Sequence, residues 1–212
     1  MIKTRLSKAI ALCIVTSTAI STNNAHSDTF PVTVNYDNGT GLTANTLSWA
    51  ILQANTNPGA DEILLQTDVT VTGVMKRLID SDTTLISDNT HRTISGSDQF
   101  RPLFIKSGHV TIKDLDITNG LAKGGGSTYG GKGAGLGGCL FIYDGDVLLT
   151  DTNFFSCRAI SGDNGDNFNS TGGGGLFGDG LSSTGGGLFA DGGYGGYGLY
   201  QNNSTNFGLG GS

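Results

Sequence analysis

The spacing of hydrophobic residues near the start of the chain changes from a strand period to a helical one. Apolar and polar residues alternate from Phe30 to Val34, and the turn residues Asp37-Asn38-Gly39 follow, which predicts a strand and a turn. The next hydrophobic residues stand three and four positions apart and end before Asn57-Pro58-Gly59: Leu47, Ala50, Ile51 and Ala54. This spacing predicts a short amphipathic helix.

Five short apolar segments follow the helix, and none of them has a helical period. They are rich in Val, Ile and Thr and are separated by turn residues: EILLQ, VTVTGV, RLI, TTLI and RTISG, between positions 62 and 96. Residues of these types favour a pleated, half-buried surface. We therefore predict short strands joined by tight turns.

One pattern occurs twice. Residues 103–122, LFIKSGHVTIKDLDITNGLA, align without a gap with residues 140–159, LFIYDGDVLLTDTNFFSCRA, at an offset of 37 positions. In each copy the apolar residues change from one strand parity to the other, which predicts a corner between two strands. Strand, corner, strand and turn within about twenty residues is one turn of a parallel solenoid. The remaining residues, Lys123 to Gly138, are predicted to form a loop that projects between successive turns.

The repeat predicts which side chains stack on one another. Apolar residues of the first copy should lie buried over their counterparts in the second: Leu103 over Leu140, Ile105 over Ile142, Val110 over Val147, Ile112 over Leu149 and Ile117 over Phe154. We predict an all-β fold in which residues 28–62 form a strand and a capping helix and residues 63–161 form the turns of a right-handed parallel β-helix.

Glycine is concentrated in the C-terminal part of the chain. Of its 36 glycines, 30 lie from Gly120 onward, which excludes an ordinary helical or doubly wound domain there. Residues 162–212 are a low-complexity Gly-rich tract, ordered only where its Leu-Phe pairs can dock. Because this tract ends without a capping element, we expect the chain to be the front part of a longer protein.

The N-terminal residues predict export. Three basic residues precede the apolar run Ala9–Ile20, which is too short to span a bilayer, and Ala25-His26-Ser27 has the small-x-small form of a signal-peptidase site. We predict a signal peptide over residues 1–27, cleaved between Ser27 and Asp28, and no membrane-spanning segment in the mature chain. Cleavage leaves nine basic residues against 18 acidic ones, a net charge of −9, which argues against nucleic acid as a partner.

Three segments resemble a known class of bacterial surface protein. TVNYDNGTGLTANTLSWAILQANTNPGADEI is similar to the N-terminal segment of secreted right-handed β-helix proteins, and RPLFIKSGHVTIKDLDITNGLAKGGG resembles their turns. GGCLFIYDGDVLLTDTNFFSCRA resembles the GGAI and FxxN repeats of polymorphic outer-membrane proteins and autotransporter passengers. The resemblance implies a pectin-lyase-like solenoid that is secreted or displayed on the cell surface. Cys139 and Cys157 depart from it, since they replace the Ala of GGAI and the Asn of FxxN.

These two cysteines are disulfide candidates. They stand 18 residues apart, close to one solenoid turn, so they could lie on neighbouring turns at the strand spacing of about 4.8 Å. An exported chain meets an oxidising compartment. The alternative is a pair of small buried thiols.

Oxygen ligands for Ca²⁺ occur in SGDNGDNFN, where Asp163 and Asp166 are candidates, although the spacing matches neither the EF-hand nor the nonapeptide calcium repeat and a solvated turn is the alternative. No other metal site and no cofactor is expected. Paired carboxylates occur at Asp114 and Asp116 and around Gly145, at Asp144 and Asp146, but the signatures of polysaccharide hydrolases are missing. Exposed aspartates at corners keep a solenoid soluble, so we assign no catalytic residue.

We therefore expect a secreted or surface-exposed β-helix passenger that acts by adhesion or display. Its partners would be a surface carbohydrate or a protein, contacted by tyrosines of the Gly-rich loops, and self-association through an open solenoid end is expected: Tyr129, Tyr194, Tyr197 and Tyr200. The alternative from another class is a polysaccharide-active lyase or hydrolase with the same fold. A third is an incomplete passenger without independent activity.

Overall fold

The computed structural model describes residues 26–127 and 131–163, and the predicted signal up to residue 25 and the Gly-rich tract from residue 164 lie outside them. The described chain forms one α-helix, α1, and thirteen strands, in the order β1 Thr29–Val32, β2 Tyr36–Asp37, α1 Leu47–Thr56, β3 Asp61–Leu65, β4 Val69–Val71, β5 Ile79–Asp80, β6 Thr83–Ser87, β7 Arg92–Ser95, β8 Leu103–Ser107, β9 His109–Thr118, β10 Leu121–Lys123, β11 Leu140–Ile142, β12 Asp146–Phe155 and β13 Arg158–Ile160.

All strand pairs in the described residues are parallel. The largest sheet has eight strands in the order β1-β3-β6-β9-β7-β4-β2, with β12 added to β9. Two smaller sheets contain β5, β8 and β11, and β10 and β13. The fold is thus a parallel, mostly β structure with one helix, which agrees with the predicted all-β class. None of the helices in the described part is long and apolar enough to cross a membrane.

The large sheet is bent into two arms. The first half of β9 pairs with β6 and its second half pairs with β7, so β1, β3 and β6 form a first arm and β2, β4 and β7 form a second. β9 and β12 cross both arms, and each bends at an aspartate with positive φ, Asp114 at 56° and Asp151 at 47°. This corner interrupts the side-chain alternation. Residues of both arms therefore face one core: Val110, Ile112, Leu115 and Ile117.

The sequence repeat corresponds to strand pairing in all three sheets. Leu103 pairs with Leu140, Val110 with Val147 and Ala122 with Ala159, always 37 positions apart. The predicted burial is right for the first copy and wrong for much of the second. Ile112 is fully buried, whereas its counterpart Leu149 is 43% exposed, and Ile142 and Phe154 are exposed as well. Among the described strands β12 has a neighbour on one edge alone, so its inward side chains are covered from one side.

The helix closes the core at the first turn of the chain. Thr46 is its N-cap and Asn57 its C-cap, and its buried residues join the core beside β1, β3 and β5: Leu47, Ala50, Ile51 and Ala54. Asp37 fastens the preceding turn to the helix. Its fully buried carboxylate accepts hydrogen bonds from the backbone N–H of Ser48, from Ser48 Oγ at 2.6 Å and from the N–H of Gly39 at 2.7 Å.

The Gly-rich segment after β10 does not project as predicted but lies back against the β10–β13 sheet. Gly133 donates its N–H to Gly125 O at 2.8 Å, and Gly162 donates to Gly133 O at 3.0 Å. A Cβ at Gly135 would lie 2.3 Å from the carbonyl oxygens of both Ala122 and Ile160. Glycine is required at this position because a side chain would separate the two layers.

Candidate functional site

A polar groove runs along the outer surface at the corner of the bent sheet. It has a volume of about 610 Å³ and is lined by the ends of β3 and β6 and by the turns after them: Leu64, Gln66, Ile86, Ser87, Asp88, Asn89, His91 and Asp114. Leu64 and Ile86 alternate with the buried residues of their strands, which places them on the outer face. We call this surface the corner groove.

Asp88 and Arg92 form a forked ion pair at the groove. Arg92 donates from Nε to Asp88 Oδ1 at 3.0 Å and from Nη2 to Oδ2 at 2.8 Å, and both side chains are about three-quarters covered. The hydrogen bonds from Arg92 hold the pKa of Asp88 below its ordinary value, and the N–H of Thr90 also donates to this carboxylate. The pair keeps the Asp88 carboxylate in one orientation and largely compensates its charge.

A second set of polar groups connects three segments of the chain. Nε2 of His91 lies 3.0 Å from Oδ1 of Asp116, and Nδ2 of Asn153 donates to the same oxygen at 2.9 Å. Asp116 and Asn153 are paired neighbours on β9 and β12, and His91 precedes β7. Asp116 therefore fixes the orientation of the imidazole through Nε2 from outside the groove, and Nδ1 of His91 has no hydrogen-bond partner among the described residues.

Asp114 occupies the corner itself. Its carbonyl oxygen accepts a hydrogen bond from the Ser87 hydroxyl, and its carboxylate lies 3.8 Å from Nζ of Lys113. The Asp114 side chain is 35% exposed, as expected for an aspartate at a corner. The prediction missed the groove, because its other members come from turns of different length that no repeat marks.

The other predicted carboxylate pair lies away from the corner groove. Asp144 accepts a hydrogen bond from the N–H of Gly145 at 2.8 Å, and Asp146, at the start of β12, lies 3.3 Å from Nε2 of His109. Nδ1 of His109 lies 3.1 Å from Oδ1 of Asp82. The hydrogen bond to Asp82 raises the pKa of His109, and the nearby charges of Asp82 and Asp146 add to it. Asp144 and Asp146 thus belong to the strand start, where they do not converge with Asp114 and Asp116.

The two cysteines are joined. Cys139 and Cys157 form a disulfide with their Cα atoms 5.2 Å apart. Cys139 is buried before β11, and Cys157 lies between β12 and β13. The bond joins the residue before β11 to the residue before β13, so it closes the segment that contains β11 and β12.

Of the two predicted calcium ligands, Asp163 pairs with Nζ of Lys123, and Asp166 lies outside the described residues. Within residues 26–127 and 131–163, no three His, Cys, Asp or Glu side chains are grouped as metal ligands. Ser27 and Asp28, the predicted cleavage pair, precede β1.

A smaller cavity of about 200 Å³ lies beside Arg101, Phe100 and Phe104. Arg101 donates from Nε to Gly137 O at 2.6 Å, and its guanidinium lies 5.5 Å from the ring centre of Phe141 and 5.9 Å from that of Phe104. Burial lowers the pKa of Arg101 to about 10. These contacts fasten the Gly-rich segment to β8 and β11, so we assign this cavity a structural role.

Comparison of the chain with protein-family models, with curated proteins and with solved structures produced no match. The resemblance to autotransporter passengers therefore stays a prediction made from the residues. Any function assigned to the chain depends on the corner groove and on the surface around it.

Proposed function

We propose that the chain is an exported right-handed parallel β-helix that acts at the cell surface by binding carbohydrate in the corner groove, and so mediates adhesion. The observation that supports this function most directly is the fixed set of polar groups along the groove. Asp88 is held by Arg92 and His91 is held by Asp116, so both present their hydrogen-bonding atoms in set positions. A preorganised site binds with a smaller entropy loss than one whose side chains must be ordered.

The chemistry of the groove fits a sugar. Hydroxyl groups of a sugar both donate and accept hydrogen bonds, and the groove offers carboxylates, the amides of Gln66 and Asn89 and an imidazole. Leu64 and Ile86 add an apolar floor on which the C–H face of a pyranose can rest. Because Asp116 borders the groove and the mature chain has a net charge of −9, we expect neutral or amino sugars rather than uronic acids.

The β-helix architecture is supported by the offset of 37 residues that β8–β11, β9–β12 and β10–β13 share, because a chain that winds around one axis returns to every face in turn. Solenoids of this kind present long, flat faces for binding. Export is supported by the N-terminal signal pattern and by the disulfide, which is typical of proteins outside the cytosol.

A glycan array probed with the mature chain, residues 28–212, tests the proposal. We expect binding to neutral or amino-sugar glycans, and we expect His91→Ala and Asp116→Asn each to weaken it at least tenfold. His109→Ala is the matched control, because His109 forms a similar pair with Asp82 outside the groove. Equal binding by all three variants, or no binding to any glycan, would contradict the proposal.

A second function has one specific observation in its favour. The His91–Asp116 pair has the arrangement of an imidazole oriented by a carboxylate, and Asp88 and Asp114 line the same groove, so the site could also carry out acid–base cleavage of a polysaccharide. Incubation with a panel of polysaccharides, followed by measurement of new reducing ends, separates the two functions. Binding without cleavage supports adhesion, and cleavage that is lost in His91→Ala supports the enzyme.

A further inference from the structure

β12 ends the stack of described strands with an uncovered edge. It pairs with β9 along one edge, and no described strand pairs with the other. A free strand edge presents a row of N–H and C=O groups to any chain that can pair with it. We infer that this edge is the interface of a twofold-symmetric dimer of the chain.

The side chains along the edge are those of an unfinished core. Leu149 and Phe154 continue the buried rows of Ile112 and Ile117, yet they are 43% and 38% exposed. On the outer face of the same strand, Leu148 is 60% exposed and Phe155 is 53% exposed. Apolar side chains that are grouped in this way on a solvent-exposed surface indicate a site of protein association.

The opposite end of the stack cannot serve as the partner of this edge. β1 is a short strand that contains Pro31, which has no N–H to donate, and β2 has two residues. Helix α1 closes the core there, and Val32 is fully buried. Head-to-tail stacking into a filament is therefore blocked, and association of two β12 edges leaves a closed dimer as the symmetric solution.

The bend of β12 makes the edge complementary to itself. A twofold axis through the corner, bisecting the two arms, places the first arm of one copy on the second arm of the other in antiparallel orientation. If Thr150 of one copy lies opposite Asp151 of the other, side chains that face the core of one copy pair with side chains that face the core of the other. This register sets Val147 opposite Phe154 and Leu149 opposite Thr152 on the inside, and it sets Leu148 opposite Asn153 on the outside.

In the same register no two acidic residues lie directly opposite each other. The two acidic residues of the strand, Asp146 and Asp151, lie opposite Phe155 and Thr150 rather than opposite each other. A shift by one residue would place inward side chains against outward ones, which the alternation of a strand forbids. One pairing is therefore preferred over its neighbours.

Sedimentation of the mature chain over a range of concentrations tests the dimer. We expect a monomer–dimer equilibrium that Leu149→Glu shifts toward the monomer by at least tenfold in Kd. Val74→Glu is the matched control, since Val74 is 64% exposed on the loop between β4 and β5, away from the edge. A chain that is monomeric at every concentration, or one that both variants affect equally, would overturn the inference.

Cysteine crosslinking tests the register without relying on a destabilised variant. Leu148→Cys and Asn153→Cys chains, mixed and oxidised, should form a covalent heterodimer, whereas Leu148→Cys alone should crosslink poorly. Crosslinking of Leu148→Cys with itself, in preference to the mixture, overturns the register. In a monomer, protection from hydrogen exchange of those β12 N–H groups that point away from β9 would show that residues 164–212 of the same chain cover the edge, and this too overturns the dimer.

Asp61 carries a different and independent inference. Its carboxylate is 2% exposed, Oδ1 accepts hydrogen bonds from the N–H of Asp28 at 2.9 Å and from Asn57 Nδ2 at 2.8 Å, and Oδ2 has no partner. A buried, half-satisfied carboxylate is costly unless a further donor or a positive charge reaches it. The predicted cleavage between Ser27 and Asp28 would turn the donating N–H into an ammonium group with three donors.

The structure assigns Asp61 as the ion-pair partner of that new chain terminus. There is room at this position for both the uncleaved chain and the free ammonium group. In the uncleaved chain residues 26 and 27 lie there, and His26 donates its N–H to Pro58 O at 2.9 Å. Cleavage would thus stabilise the first turn of the exported protein, whereas the precursor has the hydrogen bond from the Asp28 N–H to Asp61 without the ion pair. This inference depends on the predicted cleavage site, which N-terminal sequencing of exported protein tests separately.

Thermal unfolding of two purified chains tests the pair, one beginning at Asp28 and one with a single glycine before Asp28. We expect the added residue to lower Tm by about 2–4 °C, because it moves the charge away from Asp61. In the Asp61→Asn background the same extension should change Tm very little. An equal effect of the extension in both backgrounds, or none in either, would overturn the assignment.

Discussion

Gly120 lies directly against the disulfide, since a Cβ added at Gly120 would be 2.7 Å from both Cα and Sγ of Cys139. It would also lie 2.4 Å from the carbonyl oxygen of Gly138. Cys157 itself stacks on Gly120, because Leu121 pairs with Arg158 and the same offset of 37 applies one residue earlier. The disulfide therefore fits within the stack only because this position has no side chain.

We predict that Gly120→Ala destabilises the protein by about 1–3 kcal/mol, because backbone and disulfide must shift to admit the methyl group. Gly131→Ala is the matched control, since nothing lies within 4 Å of a Cβ at that glycine. Chemical denaturation of both variants measures the difference. Equal stability of the two variants would show that the packing at Gly120 is looser than described.

The disulfide itself should contribute about 3 kcal/mol, since it closes a loop of 18 residues in the unfolded chain. We expect Cys139→Ala with Cys157→Ala to lower the free energy of unfolding by that amount. A reductant should destabilise the native chain and leave the double variant unchanged. Intact mass after alkylation without reduction provides a direct measurement, because two alkylated thiols at these positions would show that the bond is absent.

Two stacked residues should differ in their contribution to stability. Ile112→Ala removes a fully buried side chain and should cost about 2–5 kcal/mol. Leu149→Ala removes its half-exposed counterpart and should cost about 1 kcal/mol in dilute solution, where the chain is monomeric. Denaturant titrations at low protein concentration compare the two. Similar costs would mean that β12 is covered by another part of the chain.

The pKa of His109 should lie above its ordinary value of about 6.5 in an NMR titration, because Asp82 accepts a hydrogen bond from the charged ring. Since the folded-state pKa is raised, the stabilisation is present below the unfolded pKa and is lost as pH rises through the folded one. Asp82→Asn should lower the pKa more than Asp146→Asn, because the hydrogen bond with Asp82 is the largest cause of the shift. The opposite order would contradict this assignment.

The pairing of β9 with β12 could be predicted from sequence because both strands lie in one gapless repeat. The same offset predicted the pairing of β8 with β11 and of β10 with β13. Burial of the second copy could not be predicted in this way. A repeat specifies which residue stacks on which, but exposure depends on whether a further strand covers Leu149 and Phe154.

The corner groove could not be predicted from the sequence, for a different reason. His91, Asp116 and Asn153 come from three turns of the chain, and the segment that contains His91 has no sequence similarity to the repeat. Of the three, only Asp116 is indicated by the sequence, as one of a carboxylate pair with Asp114. The repeat places Asn153 on Asp116, but the contact of His91 with Asp116 depends on the register between β7 and β9, and a single sequence contains no signal for that register.

Successive turns of this chain differ in length while their strands keep one alignment. Along the first arm Asp61 pairs with Thr83, Thr83 with Val110 and Val110 with Val147, so the separation grows from 22 to 27 to 37 residues. The added residues do not disturb the aligned strands, because each longer loop returns the chain to the same position in the stack. Insertions and deletions between strands can therefore accumulate during evolution with little cost to folding, and the outer loops are free to diversify while the architecture that holds them stays constant.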